Sequence, residues 1–181
     1  MHTATCVDIL NLIAARRARR PVQALPELDR LFKRLAACDS GEAVATEERI
    51  WDVWMHHPHR AAAGVLQLAT RDIAARRYDI AETRLTALLR SAPAFAEAWH
   101  KRAALYYLLG RDAECLSDIH RTLELEPRHF AAMLHFAEIL LTLPGAAGAA
   151  DVRFACFAVL SLHPHLPRAR ELYDKAFTAP D

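Results

Sequence analysis

The chain offers little for covalent or metal cross-linking. Its four cysteines, Cys6, Cys38, Cys115 and Cys156, form no C-x-x-C pair and follow no zinc or disulfide spacing. Scattered thiols of this kind fit a reducing compartment, where cysteine is a small buried hydrophobe, and that role is assigned to Cys115 and Cys156. Glycine is scarce, with five in 181 residues. No Gly-rich phosphate loop, G-x-S-x-G elbow or H-E-x-x-H pair occurs, and no paired carboxylates flank an obvious cavity. The chain is therefore expected to be non-enzymatic and to need no cofactor. Charge of one sign is also lacking: Lys+Arg 23 against Asp+Glu 22 gives +1. Such a balance excludes a global pull toward nucleic acid or an anionic membrane. No apolar run approaches the ~18–20 residues of a membrane span. Lysine is rare (Lys33, Lys101, Lys175) while arginine and alanine abound, which leans toward a GC-rich bacterial source.

What is present is enough apolar material, 53%, to bury one domain's core and to exclude a disordered chain. Residues 1–24 form a separate basic segment in which Arg16, Arg17, Arg19 and Arg20 face one acid, Asp8. The arginines follow the apolar stretch Val7–Ile13, the reverse of a secretory signal. A mitochondrial transit peptide is the alternative to an amphipathic or frayed helix that ends at Pro21, and the helix is the reading adopted. The arginine stripe can steer an acidic partner or a membrane surface, although short basic runs are usually only solvated. The expected location is cytoplasmic.

The decisive feature is self-similarity at an interval of 34 residues. Ala62–Phe95 aligns with Ala96–His129, so that Val65 falls on Trp99, Ala69 on Ala103, Ala81 on Cys115, Leu85 on Ile119 and Pro93 on Pro127. A further step takes Trp99 to Met133, Ala103 to Ala137 and Tyr106 to Leu140. Within the second unit Trp99, Ala103 and Tyr106 make a helical stripe that Gly110 ends. Cys115, Leu116, Ile119 and Leu123 make a second stripe, closed by Pro127. Each unit is thus a helix, a tight turn, a second helix and a stop.

Trp99, Ala103, Tyr106, Gly110, Cys115, Ile119, Thr122 and Pro127 resemble the W…A…Y…G…A…F…A…P pattern of the tetratricopeptide repeat. The first unit departs from it, with Asp72 in place of the aromatic and Arg76 in place of the glycine. The third carries Leu143–Gly148 in its turn and closes at Pro164, three residues late. Trp51 and Trp54 lie 34 residues before Leu85 and Leu88. On this basis 25–58 is read as a divergent pair of the same kind, with helices Leu25–Cys38 and Glu42–His57 and a capping box from Asp39 and Glu42. The expected domain, 25–178, comprises that pair, repeats 62–95, 96–129 and 130–164, and a cap at 165–178. The fold class is all-α: a right-handed superhelix of about three and a half helix pairs plus the cap.

The resemblance implies that first helices line a concave groove. The groove columns are then Gln67, Lys101 and His135; Leu66, His100 and Leu134; Thr70, Ala104 and Glu138; and Ile73, Tyr107 and Leu141. The candidate partner-binding set is Gln67, Thr70, Glu97, His100, Lys101, Tyr107, His135 and Glu138. Family members that bind acidic chaperone tails use a clamp of two Lys, two Asn and an Arg or Lys. Leu66, Thr70, Lys101, Ala131 and His135 occupy those positions, so that clamp is not expected.

Two His-Pro-His turns, His56/His57/His59 and His163/His165, raise the question of a metal. Three repeat layers of 8–10 Å put them roughly 25–30 Å apart, too far to share one ion. They are read as helix-terminating histidines at the negative end of the dipole, and no metal site is expected. His129 and His135, six apart, do not share a helical face well. The function expected is a non-catalytic adaptor taking a peptide or protein in the groove, of unstated identity and oligomeric state. The competitors are a small secretion-system chaperone holding an unfolded client, and a spacer subunit of a larger assembly. The spacer should expose apolar residues on its convex face, with Phe154 and Phe157 as candidates.

Overall fold

Proline, one aspartate and one glycine account for several of the helix boundaries. Pro26 opens its helix at the first turn, where a missing N–H costs nothing. Asp39 caps the next by accepting the Glu42 N–H at 2.9 Å. Glu42 itself turns to Arg34, so only half of the capping box forms. The computed structural model describes residues 2–23, 25–56, 59–142 and 148–178. Among the described residues there are ten helices and no strand: α1 (His2–Ala15), α2 (Pro26–Ala37), α3 (Ser40–Met55), α4 (Arg60–Ala74), α5 (Tyr78–Ser91), α6 (Ala96–Leu108), α7 (Asp112–Leu125), α8 (Phe130–Thr142), α9 (Ala149–Leu160) and α10 (Pro167–Thr178). His57, Pro58 and 143–147 lie outside the described residues.

The pairs α4/α5, α6/α7 and α8/α9 pack as hairpins, α5 meets α6, α7 meets α8, and α10 closes on α9. The fold is an all-helical repeat solenoid. Ala69, Ala103 and Ala137 are fully buried at equivalent positions, as are Ala81 with Cys115 and Leu85 with Ile119. Small side chains allow the helices of a pair to approach closely, and larger ones fill the space between pairs.

The repeat extends to backbone geometry. Gly110 turns the chain with φ 67°, and Arg111 N–H then reaches back to the Tyr106 carbonyl at 2.9 Å. One unit earlier Arg76 adopts φ 57°, and Arg77 N–H reaches the Asp72 carbonyl at 2.8 Å. The same left-handed closing turn is therefore made with glycine in one unit and arginine in the other. Asp72, standing where the aromatic was expected, is buried and bound by Arg77 and Arg84.

Two placements differ from the sequence expectation. First, α1 ends at Ala15 rather than Pro21, and it is packed along α7 and α9. Its Cys6, Ile9 and Ile13 form a buried stripe that joins the core cluster of Leu116 and Leu123. Beyond it, Val22 N–H bonds the Leu125 carbonyl at 2.8 Å, which anchors the basic segment to the end of α7. Second, the α2/α3 hairpin does not stack squarely ahead of α4. Its aromatic side chains turn to the first helices and inter-repeat turns of the following pairs. Phe32 meets Phe130, Trp51 meets His100, and Trp54 meets His129. His163 bonds Glu47 at 3.1 Å and His165 bonds the Cys38 carbonyl at 2.9 Å. These two histidines thus hold the hairpin rather than simply ending helices.

Candidate interaction groove

Glu97, in the first turn of α6, is the centre of the candidate set. Its carboxylate is buried against His100 and Lys101 on the next turn and against His129 just before α8. The spacings i,i+3 and i,i+4 bring the first two onto one helical face. The third arrives because α8 stacks beside α6, 32 residues later in sequence. His129 lies just before α8, and its Nδ1 accepts the Ala132 N–H at 3.3 Å. That leaves Nε2 to carry the proton and donate it to Glu97 Oε2 at 2.9 Å. Lys101 Nζ lies 3.0 Å from the other carboxylate oxygen.

Burial by itself would raise the Glu97 pKa. The adjoining His100, His129 and Lys101 outweigh that and hold the carboxyl well below its usual range. His100 is pushed down to about 3 by burial and by the neighbouring His129, so it stays neutral. Burial also lowers His135. Neither imidazole is available as a cation, and Lys101 is committed to Glu97. This is a second reason, independent of residue identity, why the acidic-tail clamp cannot form.

Glu97, His100 and His129 offer three ligand atoms within 4.8 Å of one another. A metal on His129 Nε2 would move the proton to Nδ1, where it would face the Ala132 N–H donor. The Lys101 ammonium would then repel the ion. The donor set suits a hydrogen-bonded cluster rather than a cation site. The cavity touching Glu97 has a volume of about 30 Å³, room for about one water and no substrate.

The sequence missed the lid over this cluster. Trp51 takes Lys101 Nζ on its face, 4.9 Å from the ring centroid, and Trp54 stacks on His129. His129, judged a poor companion to His135, lies with it around His100, with ring centroids 4.6 and 5.9 Å from that ring. The remaining candidates lie away from the lid. Tyr107 packs on His135 at 5.0 Å, and Glu138 is bridged by Arg168 at 2.8 Å. On α4, Gln67 is exposed and Thr70 turns its hydroxyl to the Leu66 carbonyl. Cys115 and Cys156 are buried, and burial pushes their thiols up to about 12 and about 11. No helix among the described residues is long and apolar enough to cross a membrane.

No protein-family model matches the chain. A TPR repeat-containing protein of Rhizobium etli is 31% identical over 132 residues, 72% of this chain and 64% of that protein. The chain therefore spans just under two thirds of that relative's length. The 34-residue register, the matched closing turns at Arg76 and Gly110, the helical array and this relative agree, and the chain is a TPR-like helical-repeat protein.

Proposed function

We propose that the chain is a non-catalytic adaptor that takes a peptide or partner protein along the first-helix face of its repeats. The observation that carries this reading is α3 itself. The face already receives a helix through Trp51 and Trp54, so its shape and polarity suit an amphipathic segment with aromatic anchors. A stacked array presents preformed side chains, and a flexible ligand then supplies most of the ordering entropy. The acid–base groups of the face are sealed and bonded to one another, which favours recognition over catalysis. Because Glu97, His100 and Lys101 lie under α3, the ligand would use the uncovered remainder, Gln67, Thr70, Tyr107, His135 and Glu138.

Quantitative affinity purification from cells that contain the protein tests this. Gln67→Glu combined with Tyr107→Glu should remove a partner that wild type captures. Ile80→Glu, on an exposed position of α5, should retain it. A partner kept by the first variant, or lost equally from both, contradicts the groove reading. Lys101→Ala is a poor probe, because it strands a buried carboxylate.

One observation favours a second reading, an assembly subunit. Phe154 and Phe157 stand 36% and 55% exposed on α9. Phe157→Glu should abolish partner capture under that reading and leave it intact under the first.

A further inference from the structure

Away from the groove, the turn after α1 builds a cationic pocket. Arg16, Arg17, Arg19 and Arg20 converge there with Arg128, from the turn before α8, around a cavity of about 440 Å³. Asp29 is the one carboxylate in its lining, and it is committed to Arg128, which Glu126 also binds. Among the described residues none of the four arginines of the turn has an ion-pair partner.

Arg16 is the informative member. Only 8% of it is exposed, yet its guanidinium meets no carboxylate. It donates to two neutral oxygens, the Ile13 carbonyl and Ser161 Oγ, both at 2.9 Å. Its Nε is buried with no acceptor, and so is one terminal nitrogen of Arg19, whose other one reaches the Glu124 carbonyl at 3.2 Å. A desolvated cation with no carboxylate beside it is costly unless an anion offsets its charge. Several guanidinium forks around one hollow match the planar, bidentate geometry that tetrahedral oxyanions accept. The volume is that of a small-molecule site, and Pro21 and Leu162 add apolar wall beside the charge. A membrane would require the charge to project outward. Here four parts of the chain line it: the turn after α1, the start of α2, the turn before α8 at Arg128, and the turn after α9 at Ser161 and Leu162.

We propose that this pocket is a binding site for a small phosphate-bearing anion, with Arg16 and Arg19 at its base and Arg17 and Arg20 at its mouth. The site is independent of the groove: each can fail without the other. Its wall joins α1 to the ends of α7 and α9, so a bound anion would brace that junction.

Isothermal titration with inorganic phosphate, pyrophosphate and adenosine triphosphate at constant ionic strength tests the site, with chloride as the matched control. Vesicles of phosphatidylserine serve as the membrane arm. The expected result is saturable one-to-one binding of at least one phosphate compound. Arg17→Glu with Arg20→Glu should weaken it at least ~tenfold, the loss expected for two charge-assisted contacts. The charge-matched Arg71→Glu with Arg90→Glu, both on exposed positions, should leave it unchanged. Both variants spare Arg16, so circular dichroism should show wild-type folding. The proposal is overturned by no saturable binding, by equal weakening in both variants, or by binding to vesicles alone.

Discussion

The Trp54 indole lies flat on the His129 imidazole, 5° from parallel with ring centroids 4.1 Å apart. This stack ties the end of α3 to the turn that starts α8, and so fixes an early hairpin onto a later repeat. His129 is at once helix cap, donor to Glu97 and platform for Trp54. Trp54→Ala should cost about 3–5 kcal/mol, the usual loss for a buried tryptophan. Hydrogen exchange should accelerate first in α2 and α3, with α4 and α5 little changed. Unaltered exchange in α2 and α3 would show that the stack does not hold them.

Arg76 makes the turn between the two helices of the first repeat in a conformation that suits glycine. Its Cβ crowds the backbone there, whereas Gly110 makes the equivalent turn freely. Arg76→Gly should stabilise by about 0.5–1 kcal/mol, the relief of strain outweighing the added freedom of the unfolded chain. Gly110→Ala should destabilise by about the same amount. Denaturant midpoints of the two variants check the pair, and shifts of the same sign would contradict it.

Ala103 is fully buried between packed helices, at the position where Ala69 and Ala137 recur. Ala103→Leu should overpack it and destabilise by about 1–3 kcal/mol. An unchanged melting temperature would count against the repeat alignment.

Acid should weaken the protein through the sealed cluster. His100 is held neutral in the fold with its pKa near 3, while in the unfolded chain it takes a proton near 6.5. Between those values the unfolded state binds more protons, so stability is full above about pH 6.5 and is lost as pH falls toward 3. Glu97 and Glu47 act in the same direction, because their partners hold them ionised in the fold: His100, His129 and Lys101 for the first, His163 and Trp51 for the second. Urea midpoints measured across that window should fall with pH, and His100→Gln should flatten the slope. A wild-type midpoint independent of pH there would contradict the assignment.

The parts of the fold legible in the sequence are those carried by local pattern. Alanines 34 apart, Gly110 and the prolines each impose a constraint on their own stretch of chain. The placement of α2 and α3 was not legible for a physical reason. A buried stripe tells which face of a helix is covered, not what covers it, and Trp51 with Trp54 would read the same beneath α4 or over α6. The groove residues were found by register, but their state was not. Glu97 and His129 are separated by a whole unit, and only the stacked array shows that they hydrogen-bond to one another. The basic stripe of the N-terminal segment was visible as charge, whereas its burial at Arg16 depends on α9 and Ser161.

The most direct measurement is a nuclear Overhauser spectrum of the Trp54 indole. The hairpin folded onto later repeats predicts cross-peaks to the ring protons of His129 and Phe130. Cross-peaks to Ala62 and Val65 of α4, with none to His129, would instead place α2 and α3 as an ordinary preceding repeat and leave the groove open.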